Sequence, residues 1–423
     1  MRSWKPLLLA AVLALTTGAP ASAARADPSV PTTPDCAWHP LGYRTSNVAY
    51  PDTNSQYWLL HHTVQDGLTI TLDGRYPDAR YMSFASYDAA RDSFTGPDAE
   101  PSVLGDHQIA PDRGSHNPYR EHSRAGGKFS VTVTDRADAG HNTLPLSPAG
   151  TPDGAEGTVI FRVYLPDGKI RLPKVTFHRN GHRVHVATCA DALTSAPTAP
   201  TAPTATADTA KTPDAPRVSA PDLSGTPARP AFARQGGSGL YPNPDNAYVS
   251  AGFDAPPAGQ VLIVRGKAPA STTGDRARPW PDPKAQVRYW SMCNNLWWGP
   301  GEVVANPLPD GTVDPGCRTD TDTRLSADGT YTYVVGTEAQ RATIDAVPGV
   351  TFVPLSAATP TAKHVLILRN MLAATGFAEA IQQVPTGSDS GRTAQVMGDY
   401  YPRTGYCVLA TLSASGPDAC PVS

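Results

Sequence analysis

The sequence predicts a mainly β protein made of two tandem antiparallel β-sandwich or jelly-roll-like domains, the second with a few added helices. Three observations carry that expectation. Short β-branched and aromatic runs bounded by Gly, Pro, Asp and Asn recur along the chain. Residues 190–235 are dominated by Ala, Pro, Thr, Ser and Asp, a composition that cannot bury enough apolar surface to offset its ordering entropy. Landmarks that precede this stretch return after it in the same order.

Residues 1–23 read as a secretory signal peptide. Arg2 and Lys5 give a positive start, residues 7–15 an apolar run, and Ala21, Ser22 and Ala23 a small-residue cleavage region. The run is shorter than the roughly 20 residues that span a bilayer. An exported, extracellular protein is expected, with residues 24–35 a disordered N-terminus. The first domain then covers residues 36–189, the Pro/Ala/Thr-rich linker 190–235 and the second domain 236–423. With 36 Gly and 44 Pro in 423 residues, the composition suits a turn-rich β protein interrupted by a spacer.

Four segments match between the domains. Tyr50, Pro51, Asp52 and Tyr57 recur as Tyr241, Pro242, Asn243 and Tyr248. The strand-like run from Gly67 through Gly74 recurs from Gly259 through Gly266, and Arg80, Tyr81 and Ser83 recur as Arg288, Tyr289 and Ser291. Residues 157–164 match residues 329–335. A further hairpin is expected around Asn180 and Gly181, where a two-residue turn sets Thr176 opposite His185. Helices are expected at 375–383 and 390–398, the second capped by Ser390.

The turn, the Gly-ended strand and the Arg-Tyr-x-Ser segment together resemble exported bacterial proteins built from paired β-sandwich domains of unknown function. That resemblance spans the strand cores of both domains and implies a fold without established chemistry.

An even count of six cysteines in an exported chain points to disulfides. Pairing Cys36 with Cys189 would tie the ends of the first domain together, contributing about 3 to 5 kcal/mol in the chain-entropy model. For the other four, Cys293 with Cys317 and Cys407 with Cys420 is preferred among three connectivities that remain open.

Net charge of −3 and a pI near 6.4, without Lys or Arg clusters, argue against nucleic-acid or anionic-membrane partners. No hydrolase elbow, zincin helix, Walker loop or Rossmann fingerprint is present, so no cofactor is expected. His107, His116 and His122 share one polar loop and are the weak metal candidates, although their spacing fits no metal signature. The repeated Asp52/Asn54 and Asn243/Asp245 turns place a carboxylate beside a Tyr. They could present an acid or base, but suit a turn capped by its own side chains. Arg80 and Arg288, each at a strand start, are expected to pair with that turn carboxylate.

The second domain concentrates aromatic, Arg and Asn residues. Arg288, Trp290, Asn294, Trp297, Trp298, Arg318, Tyr333 and Arg369 are the candidate ligand-binding set, since rings supply contact area and polar groups set orientation. Aromatics this dense can equally be core. The expected function is a secreted, non-catalytic binding protein that takes a small organic or sugar-like ligand in an aromatic, Arg-lined cleft. The alternative is an extracellular enzyme acting at that cleft or between the domains, with Asp320 as acid or base and Arg288 and Arg369 holding an anionic group.

Overall fold

The computed structural model describes residues 37–96, 100–135, 142–187, 229–236, 240–297 and 299–423. In the N-terminal half the strands are β1 (His39–Leu41), β2 (Ser55–Thr63), β3 (Leu68–Arg75), β4 (Ala79–Tyr87), β5 (Val103–Gly105), β6 (Lys128–Thr134), β7 (Thr143–Pro145), β8 (Glu156–Pro166), β9 (Lys174–Arg179) and β10 (His182–Ala187). They form two sheets, ordered β1-β2-β8-β4-β5 and β10-β9-β3-β6-β7. Period-two patterning explains their facing. In β6, Phe129, Val131 and Val133 are buried while Ser130, Thr132 and Thr134 are not. Those three join Leu60, Ile70, Phe84 and Phe161, from both sheets, in one interior cluster. Each such side chain contributes about 1.5 to 3 kcal/mol of burial.

The C-terminal half contains β11 (Asn246–Phe253), β12 (Gln260–Lys267), β13 (Val287–Leu296), β14 (Ala305–Pro307), β15 (Val313–Pro315), β16 (Cys317–Thr319), β17 (Thr330–Gly336), β18 (Val350–Pro354), β19 (His364–Ala373) and β20 (Arg403–Val408). Its two large sheets run β11-β19-β13-β16 and β18-β17-β12-β20, and β14 with β15 makes a separate hairpin. Strand for strand, β2-β8-β4-β5 corresponds to β11-β19-β13-β16, and β9-β3-β6-β7 to β20-β12-β17-β18. Pairing is antiparallel except for β6 with β7 and β17 with β18, a parallel pair at the same place in each half.

This order corrects one expected match. Residues 157–164 lie in β8, between β2 and β4, whereas residues 330–336 form β17, which pairs with β12. The strand that occupies the position of β8 is β19, between β11 and β13. The other matches fall on equivalent strands. Their shared glycines have a reason: Gly74 faces Phe129 across β3 and β6, and Gly266 faces Tyr331 across β12 and β17. A Cβ on Gly74 would meet the Phe129 ring at 2.4 Å, and one on Gly266 the Tyr331 hydroxyl at 2.7 Å. The aromatic ring occupies the space that a side chain would take.

The Asn-Gly hairpin forms as expected, with φ of 49° at Asn180 and 78° at Gly181. A bulge between Arg183 and His185 shifts the register, so His185 lies opposite Phe177 rather than Thr176. Among the described residues there are three α-helices: α1 (Arg341–Asp345), α2 (Ser390–Met397) and α3 (Leu409–Ser415). The helix expected at 375–383 is reduced to a 3-10 turn at Ile381–Gln383. The cap of α2 is Asp389, not Ser390; its carboxylate accepts from the Arg392 N–H at 2.8 Å.

Cys293 and Cys317 sit directly opposite each other on β13 and β16 and are bridged, as are Cys407 and Cys420. Cys36, Cys189, the stretch expected to be a signal peptide and residues 190–228 lie outside the described residues. Residues 229–235, placed in the linker by composition, instead pack on the C-terminal half: Phe232 is fully buried, and its N–H donates to the Tyr401 hydroxyl at 2.9 Å. Among the described residues no helix is long and apolar enough to cross a membrane.

Candidate functional site

The polar residues that recur in both halves meet at the contact between the halves. Each repeated turn begins with a tyrosine at positive φ, Tyr50 at 51° and Tyr241 at 55°. The Asp52 side chain accepts from the Asn54 N–H at 3.0 Å, and the Asn243 side chain from the Asp245 N–H at 3.2 Å, so both turns cap themselves. One carboxylate of each turn then reaches the other half. Asp52 accepts from the Tyr289 hydroxyl at 2.8 Å and the Ser291 hydroxyl at 2.6 Å, while Asp245 accepts from the Tyr81 hydroxyl at 2.6 Å. Burial pushes the Asp245 carboxyl up from its ordinary value, and the Tyr81 bond opposes that shift.

The two repeated arginines do not pair with these turn carboxylates, as the sequence suggested. Arg80 pairs with Asp320 at 2.7 Å and Arg288 with Asp106 at 2.8 Å, each pair crossing between the halves. The partners occupy equivalent places, because Asp106 directly follows β5 and Asp320 directly follows β16. Both pairs are desolvated, with side-chain exposures of 5% or less. Burial raises the Asp320 carboxyl, and the Arg80 guanidinium opposes it. Arg162 on β8 and Arg369 on β19 complete the pattern by donating to the carbonyls of Tyr241, at 2.8 Å, and Tyr50, at 2.5 Å. Tyr81, Tyr164, Tyr289 and Met371 fill the apolar centre.

This contact accounts for much of the expected cleft. Strand β13 is buried on both faces: Trp290 and Met292 point into the C-terminal core, whereas Tyr289 and Ser291 point at the N-terminal half. Trp290 packs against Tyr331 in a tilted ring pair with centroids 5.6 Å apart, and the Tyr333 hydroxyl bonds the Thr323 hydroxyl at 2.7 Å, so Trp290 and Tyr333 are core. Asn294 is fully buried and donates to the Pro354 carbonyl at 2.7 Å. Arg288, Arg369 and Asp320 belong to the contact between halves. Trp297 is half-buried, with the Lys363 ammonium 4.7 Å from its ring centre, and Trp298 lies outside the described residues. The predicted residues therefore do not converge on one aromatic cleft. Their physical reason for being polar or aromatic is packing on two faces.

Nor do the histidines converge. His116 bonds Glu121 at 2.6 Å and is exposed, His122 is exposed, and His107 is 3.6 Å from Asp106. Among the described residues, the three potential metal-ligand groups found close together are Asp52, Cys293 and Cys317, whose sulfurs are spent in the disulfide.

Arg318 stays near the surface. It lines a depression of about 160 Å³ with Asp322, Arg324, Arg341, Asp345, Thr351 and Phe352. Its guanidinium donates to the carbonyls of Phe352, Pro315 and Cys317 and to the Asp314 carboxylate, at 2.5 to 2.9 Å. Arg341 lies over the Phe352 ring at 4.1 Å and also pairs with Asp314. A second, larger depression of about 330 Å³ lies on the N-terminal half beside Arg75, Lys169 and Arg171. Sequence reasoning named Arg318 but missed the rest of its depression and all of the second, since the residues lining each come from segments well apart in the chain and share no motif.

No protein-family model matches the chain, and no curated protein does. Among solved structures it is similar to an uncharacterised protein from Burkholderia cenocepacia, at a TM-score of 0.48 and 12% identity over 90% of this chain and 84% of that one. It is also similar to the VPA0106 protein from Vibrio parahaemolyticus, at 0.39 and 12% over 84% and 89%.

Proposed function

We propose that the chain is an exported, non-catalytic binding protein that holds a small organic or sugar-like ligand in the depression lined by Arg318, Arg324 and Arg341. The observation that carries this reading is the fixed Arg318 guanidinium, held by four hydrogen bonds at the edge of a polar hollow. Guanidinium donors there stand beside the Asp322 and Asp345 acceptors and the Phe352 ring. A mixed donor and acceptor set is what a hydroxyl-rich ligand requires, and groups already held in place lose little freedom on binding.

Export is supported by the charged, apolar and small-residue order of residues 1–23 and by two bridged cysteine pairs. We read the matching strand orders and the reciprocal contacts as duplication of one folding unit. In this reading the buried acids and bases hold the halves together, and Asp320 acts through its Arg80 pair as a structural group.

A ligand screen on the full chain tests the proposal. Saturable binding that Arg324→Ala weakens by about tenfold, at unchanged melting temperature, is the expected result. Binding that is indifferent to both Arg324→Ala and Asp345→Asn would sink it.

A further inference from the structure

We infer that the ligand of the Arg318 depression is a zwitterion, a small amino acid that offers its ammonium to Asp345 and its carboxylate to Arg324. This deepens, and rests on, the binding reading proposed for that hollow. The charged groups around it sort into those already paired and those still open. Arg318 and Arg341 share the two carboxylate oxygens of Asp314, Arg318 at 2.9 Å, and Arg341 also meets Glu338 at 2.7 Å. Asp322 accepts from the Thr319 hydroxyl at 2.8 Å. Arg324 and Asp345 are left. The Arg324 guanidinium donates from Nη1 to the Val350 carbonyl at 3.3 Å and makes no ion pair, and Asp345 has no hydrogen-bond or ion-pair partner, among the described residues.

Both residues are exposed and line the same depression, yet they do not pair with each other. One open group of each sign therefore faces one hollow. A ligand with a single charge would meet one of them and set a like charge near the other, whereas a ligand carrying both charges meets the two together. Position adds to this for Asp345. It is the last residue of α1, and the carbonyl end of a helix favours a cation beside it rather than an acid alone. A guanidinium fork likewise suits a carboxylate. At about 160 Å³ the hollow is well below the roughly 300 Å³ at which larger ligand clefts begin, which restricts the occupant to a few heavy atoms.

Titration of the full chain, followed by ligand-observed NMR and calorimetry, tests the inference with the protein amino acids, their N-acetyl derivatives, their amides, and the neutral sugars glucose, galactose and mannose. Saturable binding of a free amino acid is expected, weakened about fivefold or more when acetylation removes the ammonium or amidation removes the carboxylate. Asp345→Asn should weaken the free amino acid and leave its N-acetyl form unchanged, and Arg324→Gln should weaken the free amino acid and leave its amide unchanged. Both side chains are exposed, so neither variant should alter the melting temperature. Equal affinity for the free and acetylated forms, a loss in Asp345→Asn that is the same for both, or no saturable binding of any amino acid overturns the inference. Neutral sugars that bind in an Arg324-dependent way while amino acids do not would overturn it and leave the Arg318 depression standing as a binding site. Binding that ignores both variants would instead remove the depression itself.

Discussion

Arg80 and Arg288 donate to each other's backbone carbonyl oxygens across the contact between the halves, Arg288 at 2.7 and 2.9 Å and Arg80 at 3.4 Å. Each then spends its remaining charge on an aspartate of the opposite half. The arrangement is reciprocal, and an isologous contact of this kind is self-complementary. The acids of the turns break that equivalence: Asp52 stands where the other half has Asn243, and Asn54 where it has Asp245.

Breaking one buried pair should therefore cost more than removing it whole. Arg288→Met leaves the Asp106 side chain without its guanidinium partner in a desolvated place, and a loss of about 3 to 5 kcal/mol is expected. Arg288→Met with Asp106→Leu should lose clearly less than the two single changes added together. Urea unfolding of the three variants measures the coupling, and strict additivity would contradict the pairing.

Stability should fall on mild acidification because of His364. Its Nδ1 bonds the Ala362 carbonyl at 2.8 Å and its Nε2 accepts from the Ser356 N–H at 3.1 Å, a network that requires the neutral ring. Burial pushes its pKa down to about 4. Between about 6.5, the unfolded value, and that lowered value the unfolded chain binds more protons, so stability rises with pH in this window. It is present in full above the window and lost as pH falls through it, by at most about 3 kcal/mol. His62, also lowered to about 4 by burial, acts in the same direction. The raised carboxyls of Asp245 and Asp320 act oppositely, since the folded state holds their protons more tightly and their contribution fades as pH rises. Denaturation of the protein and of His364→Asn at pH 7 and pH 5 tests this. An identical pH slope in the variant would remove His364 from the account.

The glycines that drew attention as repeated strand ends should be intolerant of a side chain. Gly74→Ala would drive a methyl group into the Phe129 ring, and about 1 to 3 kcal/mol is expected from such overpacking. Because Phe129 is the obstacle, Gly74→Ala combined with Phe129→Leu should cost less than the two changes summed. If the combination is additive in thermal unfolding, the ring does not set the requirement for glycine.

Strand positions were legible because β-branched and aromatic runs between turn residues leave few alternatives, and the turn, Gly-ended and Arg-Tyr segments all fall on equivalent places. Strand neighbours were less so. Residues 157–164 and 329–335 both read as Gly-Thr followed by aromatic and branched residues, yet one strand lies between β2 and β4 and the other beside β12. A strand's own residues carry its pleat, not the identity of its partners. The residues expected to line one cleft are dispersed for a related reason. In β13 the residues of one face pack the core and those of the other meet a second half, so Trp290 and Arg288 look like ligand groups while serving packing. Partners such as Arg80 and Asp320, or Tyr289 and Asp52, lie more than two hundred positions apart, and no local pattern announces them.

The two described disulfides should differ in what they hold. Cys293–Cys317 closes a separation of 24 residues and Cys407–Cys420 one of 13, and chain entropy alone gives about 3 kcal/mol to each. Their surroundings are unlike. Cys317 Sγ accepts from the Thr53 N–H at 3.4 Å, which ties the bridge to the Asp52 turn of the opposite half, whereas the Cys407 bridge lies among Val261, Val334 and Leu412 of its own half. Cys293→Ala/Cys317→Ala should therefore lower stability more than Cys407→Ala/Cys420→Ala. It should also speed hydrogen exchange at the Asn54 N–H, which the Asp52 side chain holds. Equal losses in both double variants, with unchanged exchange around Asp52, would show that the Cys293 bridge braces its own sheet and not the contact between the halves.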